Sequence, residues 1–177
     1  MSIYTNATLR RRLIPSGLPT PLAGTTVRHF GNMPEVLTKI TLNLEVAVGD
    51  VANLRVGVPV FSPGADTVIQ EAEARIILIH NDVAGKTAVG VFGLGTTLAS
   101  GANATLASDA TQNIVASVAT LAMDGAAAAV SVNRNLAQAV TANGVFLNIA
   151  DGWPDVTVAT VVVTGVIWLR WRHVTFN

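Results

Sequence analysis

The sequence contains no cysteine and few charged residues. The absence of cysteine excludes disulfide bonds, thiol nucleophiles and thiolate metal sites. Charged residues make up only 12% of the chain, against about 25% in typical soluble domains. This deficit predicts that part of the exterior is covered in an oligomer or a larger assembly. A weakly charged sandwich rich in alanine and glycine is the alternative explanation.

The formal net charge is zero, because the chain contains eleven basic and eleven acidic residues. A neutral chain exerts no overall attraction on nucleic acid or on an anionic membrane. No apolar run approaches the roughly 20 residues that span a bilayer, and no signal peptide is recognisable at the N-terminus. We therefore expect a protein made in the cytoplasm, with neither a membrane nor a specific nucleic acid as its partner.

Residues 1–35 differ in composition from the rest of the chain. They contain four prolines and three glycines, which exclude a helix or a central strand, at Pro15, Pro19, Pro21, Pro34, Gly17, Gly24 and Gly31. The run Arg10-Arg11-Arg12 lies within this segment. We predict an extended N-terminal arm over 1–35, ordered against a neighbouring subunit or a scaffold, followed by one domain over 36–177.

The stretch from Asp155 to His173 is predicted to be the central strand of that domain. It is rich in β-branched residues, and alternate positions from Ala159 form a wholly apolar face of Val161, Val163, Gly165, Ile167, Leu169 and Trp171. Such period-2 patterning is typical of a strand on a core. We expect this last strand to be paired on both edges, with a bulge or bend at Gly165.

Further strands are indicated by the same alternation and by the turn residues between them. They are predicted at 36–48, 54–61, 67–80, 87–94, 114–119 and 145–149, with a strand or helical turn at 136–140. Pro59 indicates an edge strand, and Asn143-Gly144 predicts a type I′ hairpin. Residues 96–130 give no clear pattern. About eight strands separated by turns predict an all-β, antiparallel, jelly-roll-like β-sandwich.

Motifs for catalysis or for cofactor binding are weak. Gly85-Lys86-Thr87 resembles the end of a phosphate-binding loop, but His80 stands where that loop needs its first glycine. The histidines His29, His80 and His173 lack the spacing of zinc ligands. We therefore predict no enzyme activity, no cofactor and no metal. A hydrolase would require His80 or His173 to meet a carboxylate in a cleft.

Glu71 and Glu73 are predicted to share one face of a strand, with Arg75 next along it. Paired carboxylates can perform acid–base chemistry, but the adjacent arginine favours a solvated or inter-subunit charge cluster.

The residues predicted to dock onto partners are basic or aromatic. Trp171 belongs to the apolar face of the last strand, whereas Trp168 lies on the opposite face beside Arg170. Trp168 can pack in a subunit interface or serve as a platform for a sugar. The candidate interaction residues are Arg10, Arg11, Arg12, Arg28, Trp168, Arg170 and Arg172.

Three features resemble structural proteins of tailed-bacteriophage virions. They are the Pro63-Gly64-Ala65 turn feeding 68–74, the glycine-containing strand 87–93, and the terminal Val-Val-Val-Thr-Gly-Val-Ile-Trp-Leu strand after a turn. The resemblance spans about residues 36–174. It implies a jelly-roll-like protein that decorates or cements a capsid, often as a trimer, or that sits in a neck, tail or fibre. It implies no catalytic residues.

These observations lead to one expected function and one alternative. We expect a non-enzymatic virion protein that self-associates, with a homotrimer favoured, and that docks through its N-terminal arm onto a major capsid or other virion protein. The alternative is an adhesin-like domain of a tail or head fibre that binds host surface glycan.

Overall fold

A computed structural model of the chain describes residues 25–30, 35–48, 54–63, 67–81, 89–103, 105–106, 110–122, 124–127, 131–140, 144–150 and 159–173. The regular elements in these ranges are strands. They are β1 (Thr25–Phe30), β2 (Glu35–Val48), β3 (Arg55–Phe61), β4 (Thr67–His80), β5 (Val89–Gly95), β6 (Val115–Ala122), β7 (Asp124–Ala127), β8 (Ser131–Val140), β9 (Val145–Ala150) and β10 (Ala159–His173).

The strands form two antiparallel sheets. The large sheet has the order β1-β2-β10-β4, with β7 and β8 both pairing with the far edge of β4. The small sheet has the order β3-β9-β5-β6. Pairing is nested along the chain, because β2 pairs with β10, β3 with β9, β4 with β7 and β8, and β5 with β6. This is the jelly-roll arrangement, so the predicted fold is confirmed.

β7 and β8 are successive pieces of one edge strand. Along β4, Ile79 pairs with Asp124 and Ile77 with Ala127, and the pairing then resumes at Ala74 with Ser131. Of the two alternatives predicted for 136–140, a strand or a helical turn, the strand is correct, and it forms the end of β8.

The core lies between the sheets and is centred on β10. β10 pairs with β2 on one side and β4 on the other, so the predicted central position is confirmed. Its buried positions are the predicted apolar ones, Val161, Val163, Ile167, Leu169 and Trp171. The indole Nε1 of Trp171 donates a hydrogen bond to the buried Thr38 Oγ1 at 2.7 Å. This bond satisfies the polar atom of an otherwise apolar side chain in the core.

Of the bulge or bend predicted at Gly165, the bulge is wrong. Gly165 keeps regular register with both neighbours, pairing with Leu42 and Ile76. Its distinguishing feature is a φ of 148°, which L side chains rarely adopt. The shift occurs instead where Arg170 pairs with Glu71 but Trp171 pairs with Ile69.

That register shift decides which face the two glutamates occupy. Gln70 is the extra residue in β4, so the buried positions change from Thr67 and Ile69 to Ala72 and Ala74. An unbroken alternation from Ile69 would have placed Glu71 and Glu73 toward the core. The bulge turns both carboxylates outward.

The large sheet begins before the predicted domain boundary at residue 36. Residues 25–30, which the composition assigned to the arm, form β1 and pair with β2 from Thr25 opposite Leu42 to Phe30 opposite Leu37. β1 is an edge strand, which agrees with the exclusion of a central strand. The remaining arm, with Arg10, Arg11 and Arg12, lies outside the described residues.

The hairpin predicted at Asn143-Gly144 is wrong. Gly144 has the positive φ that such a turn uses, 92°. However, the strands on either side lie in different sheets, since β8 pairs with β4 and β9 pairs with β3 and β5. Asn143 lies outside the described residues, and the chain crosses between the sheets here. Pro59 lies in β3 at the edge of the small sheet, as predicted.

Candidate interaction surface

The two sheets differ in what lies over their outer faces. Residues 96–103, 105–106 and 110–114, which we call the cover segment, lie against the outer side of the small sheet. Ala99 and Leu106 of this segment are buried in a cluster with Ala150 of β9. All six residues of β9 are consequently buried, on both of its faces. The middle of the small sheet, at β9, is thus covered by the chain itself.

Glycines allow the cover segment to approach the small sheet closely. In the register of the sheet, Gly57 and Gly93 flank Asn148 on either side. A Cβ on Gly57 would overlap the Asn148 side chain and would lie 2.7 Å from the Ala99 nitrogen. A Cβ on Gly95 would overlap the backbone at Thr111. Larger residues at these positions would push the cover segment away.

A buried asparagine fixes the cover segment in place. Asn148 Oδ1 accepts a hydrogen bond from the Ala99 backbone N–H at 2.8 Å. Its Nδ2 donates to the carbonyl oxygens of Thr97 at 3.0 Å and Thr111 at 2.7 Å. Asn148 has no solvent exposure, and buried amides stabilise a fold only when paired in this way. Sequence reasoning missed this residue, although a single polar residue in an apolar strand was a signal.

The side chains on the outer side of the large sheet are half-buried to exposed. We call it the outer face and define it by the outward residues of its three long strands, which are Leu37, Lys39, Thr41, Asn43, Glu45, Val162, Thr164, Val166, Trp168, Arg170, Glu71, Glu73, Arg75, Ile77 and Ile79. Among the described residues, Leu98 of the cover segment is the only large apolar side chain classed as exposed, at 44%. The low charge content therefore produces a mixed surface in this part of the chain, with threonines and half-buried apolar residues between the charges.

The outer face has a mixed end and a charged end. At the mixed end, the rows across the three strands are Glu45, Val162 and Ile79, and then Asn43, Thr164 and Ile77. At the charged end, Trp168 lies between Lys39 and Glu73, and the next row is Leu37, Arg170 and Glu71.

A shallow depression of about 290 Å³ marks the charged end. It is lined by Leu37, Glu71, Glu73, Trp168 and Arg170. The Lys39 ammonium lies 5.2 Å from the centroid of the Trp168 ring, a distance at which the negative face of the indole attracts a cation. We call this feature the Trp168 depression. It combines an aromatic ring, two carboxylates and a guanidinium in one open site.

The ion pairs of the charged end are accessible to water. Arg170 Nε lies 3.4 Å from Glu71 Oε2, and Arg75 Nε lies 3.0 Å from Glu73 Oε1. The arginine side chains are 49% and 69% exposed. Exposed pairs contribute at most about 1 kcal/mol, so their partners can be exchanged for others at little cost. The predicted charge cluster around Glu71, Glu73 and Arg75 is confirmed.

The structure brings part of the predicted interaction set together. Trp168, Arg170 and Arg172 follow one another on the outward side of β10, and Trp171 is in the core as predicted. Arg28 lies in β1, where its partner in register is Lys39. Arg10, Arg11 and Arg12 lie outside the described residues. Lys39 and Leu37 were missed, because only the pairing of β2 with β10 places them beside Trp168.

The histidines are dispersed over the large sheet. His80 pairs with Val161 and His173 with Thr67, which places them at opposite ends of β10, about 40 Å apart at the rise of a strand. Within the described ranges, no three His, Asp or Glu residues come together that could hold a metal ion. The same ranges contain no helix with the length and hydropathy needed to cross a membrane.

Comparison with known proteins adds no assignment: no protein-family model and no curated protein matches the chain. Inference about function therefore depends on the fold, the outer face and the sequence of the arm.

Proposed function

We propose that the protein is a non-enzymatic structural component of a phage virion. In this role it decorates or cements the capsid through self-association and through docking of its N-terminal arm. The observation that carries the proposal is the contrast between the two outer faces of the jelly roll. The chain covers β9, in the middle of the small sheet, with its own cover segment, whereas the outer face of the large sheet presents apolar and charged side chains to its surroundings.

The fold supports this role without requiring it. Jelly rolls with this nested pairing occur in viral capsid proteins and in lectins, among others, and a fold alone does not determine a function. The resemblance of the strand pattern to virion proteins adds to the argument.

The outer face is large enough for a stable contact between subunits. β2 and β10 pair over 14 residues, Glu35 to Val48, which is about 45 Å of strand. With β4 alongside them, the three strands present about 650 Å² per partner. A partner surface of the same size would bring the total buried area to about 1,300 Å², within the range of specific interfaces. Half-buried apolar residues such as Val162, Val166 and Ile77 would supply the favourable term, at about 25 cal/mol per Å² of apolar area before entropy costs.

Deleting residues 2–24 tests the role of the arm. The deletion ends before β1, so both sheets keep all their strands and we expect an unchanged far-UV circular dichroism spectrum. We expect the affinity of the shortened protein for virus particles that lack this protein to be at least about tenfold lower than that of the full-length protein, because one anchoring segment is lost. Co-sedimentation of the protein with particles measures this loss. Undiminished incorporation of the shortened protein would contradict the proposal.

A second candidate function, a glycan-binding domain of a fibre, is favoured by the Trp168 depression. Tryptophan beside carboxylates is suited to sugars, because the ring contacts apolar sugar faces and the carboxylates accept hydroxyl hydrogen bonds. Against this candidate, the Lys39 ammonium already lies over the Trp168 ring.

A glycan array combined with a tryptophan-fluorescence titration separates the two functions. For a virion structural protein we expect no array signal and no saturable fluorescence change with host polysaccharide. Saturable binding that disappears in Trp168→Ala, but persists in Thr97→Ala on the cover segment, would establish the glycan-binding function in its place.

A further inference from the structure

The Trp168 depression has the chemistry that recognises an arginine side chain. Glu71 and Glu73 lie two residues apart on the outward side of β4, which places their Cα atoms about 7 Å apart. Trp168 is the direct neighbour of Glu73 across the strand pair, and Leu37 contributes an apolar wall. A guanidinium can stack on an indole while its N–H groups donate to carboxylates. One arginine can make both contacts in this site.

Cations of the same chain already occupy the site. Lys39 lies over the indole, Arg170 lies against Glu71, and Arg75 lies against Glu73. The Arg170 and Arg75 side chains are 49% and 69% exposed, so an incoming arginine can replace them at the carboxylates without uncovering a buried charge.

Charge is divided unequally between the arm and the rest of the chain. Residues 1–24 contain three arginines and no acidic residue, so their formal net charge is +3. Residues 25–177 contain eight basic and eleven acidic residues, which gives −3. The three arginines are consecutive, at Arg10, Arg11 and Arg12. The arm is therefore opposite in formal charge to the remainder of its own chain.

The length of the arm exceeds what its own outer face needs. Thr25 pairs with Leu42, which pairs with Gly165, so Trp168 lies about 14 Å from Thr25 by the spacings of a sheet. Arg11 precedes Thr25 by 14 residues, about 45 Å of extended chain. This reach suits a second copy.

We propose that the Arg10–Arg12 run of one copy docks into the Trp168 depression of a neighbouring copy. The arm thereby links copies in sequence around an oligomer or along a shell. This inference rests on the proposed function, since it specifies what the arm of a self-associating structural protein contacts.

The absence of native cysteine makes disulfide trapping a direct test. One full-length preparation carries Leu13→Cys, next to the arginine run, and a second carries Thr41→Cys, exposed on the outer face near Lys39. Mixing and mild oxidation should trap a mixed disulfide dimer at least about tenfold faster than mixing with Thr97→Cys, which is also exposed but lies on the opposite side of the sandwich. Adding Glu71→Gln and Glu73→Gln to the Thr41→Cys chain should reduce the rate to that of the Thr97→Cys control.

Three results would overturn the inference. They are equal trapping at positions 41 and 97, a trapping rate unaffected by the two glutamine substitutions, and a double Leu13→Cys/Thr41→Cys chain that closes only within itself. The arm deletion separates this inference from the proposed function. If the deletion abolishes particle binding while trapping fails, the arm docks on another virion protein; if trapping succeeds while binding is unaffected, the arm joins copies but does not attach them to the capsid.

Discussion

Replacing Gly165 with alanine is expected to lower the free energy of unfolding by about 4 kcal/mol, from backbone strain of about 1–3 kcal/mol together with overpacking of similar size. Gly165 lies in the middle of β10 with a φ of 148°, a conformation available almost only to glycine. A Cβ there would overlap the carbonyl oxygen of Arg75 on β4 and lie 3.1 Å from the Ile76 Cα. Because both contacts are with backbone atoms of a paired strand, no side-chain rotation relieves them.

Gly101→Ala is the matched control for this substitution. Gly101 also has a positive φ, 99°, but an added Cβ would meet nothing within 4 Å. Its replacement by alanine therefore adds backbone strain but no steric overlap. Because alanine also makes the unfolded chain less flexible, which offsets part of the strain, we expect the free energy of unfolding to fall by only about 1 kcal/mol. Urea unfolding followed by tryptophan fluorescence measures both variants. A Gly165→Ala protein no less stable than Gly101→Ala would show that β4 and β10 are not packed as closely as described.

The sequence was most informative where one face of a strand meets the core. β2 and β10 alternate so regularly that their inward residues, such as Ile40 and Ile167, could be read directly from the period of two. The central position of β10 followed from its length and its apolar content. These properties depend on residues that are close together in the sequence, so the pattern of apolar and polar residues is enough to predict them.

Properties that depend on distant residues could not be read in this way. The dipeptide Asn143-Gly144 has the local preference of a hairpin, and Gly144 does have the positive φ. Pairing, however, is decided by which sheet buries the apolar residues of β9, and these fill the space opposite β10. Tertiary burial overrode the turn signal.

The charged end of the outer face was predictable only in part. The alternation of residues along β10 placed Trp168 and Arg170 on the same face, but it did not predict which residues of the adjacent strands lie beside them. Those neighbours depend on the register with β2 and on the extra residue Gln70, which brings Glu71 opposite Arg170. A bulge changes the face of every later residue in its strand, so a one-residue error there would have removed both glutamates from the surface.

The segment over the small sheet was unreadable for a related reason. The cover segment is held by hydrogen bonds to a partner far along the chain, since Asn148 lies 49 positions from Ala99 and 37 from Thr111. Short polar and small residues are what such packing against a glycine-containing sheet requires. In sequence they resemble an ordinary loop.

Replacing Asn148 with alanine is expected to lower the free energy of unfolding by about 4 kcal/mol. The substitution removes three hydrogen bonds and leaves the Ala99 N–H and the carbonyls of Thr97 and Thr111 without that partner, at about 1–3 kcal/mol for each buried group that stays unpaired. The loss should be concentrated in the cover segment, because all three bonds hold it to β9. Hydrogen exchange at the Ala99 amide should accelerate more than exchange at amides between β2 and β10.

Asn43→Ala is the matched control, because it removes an asparagine side chain without removing the hydrogen bonds that Asn148 makes to the cover segment. Asn43 is exposed on the outward side of β2, and surface substitutions of this kind change stability by about 0.5 kcal/mol or less. A cover segment that opens without global unfolding would appear as fast exchange at Ala99 together with a small shift in the urea midpoint, and it would still identify Asn148 as the anchor. Unaltered exchange at Ala99 in Asn148→Ala would mean that close packing over Gly57 and Gly93 holds the segment by itself. The self-covered small sheet, and with it the contrast between the two outer faces, would then depend on shape and not on the asparagine.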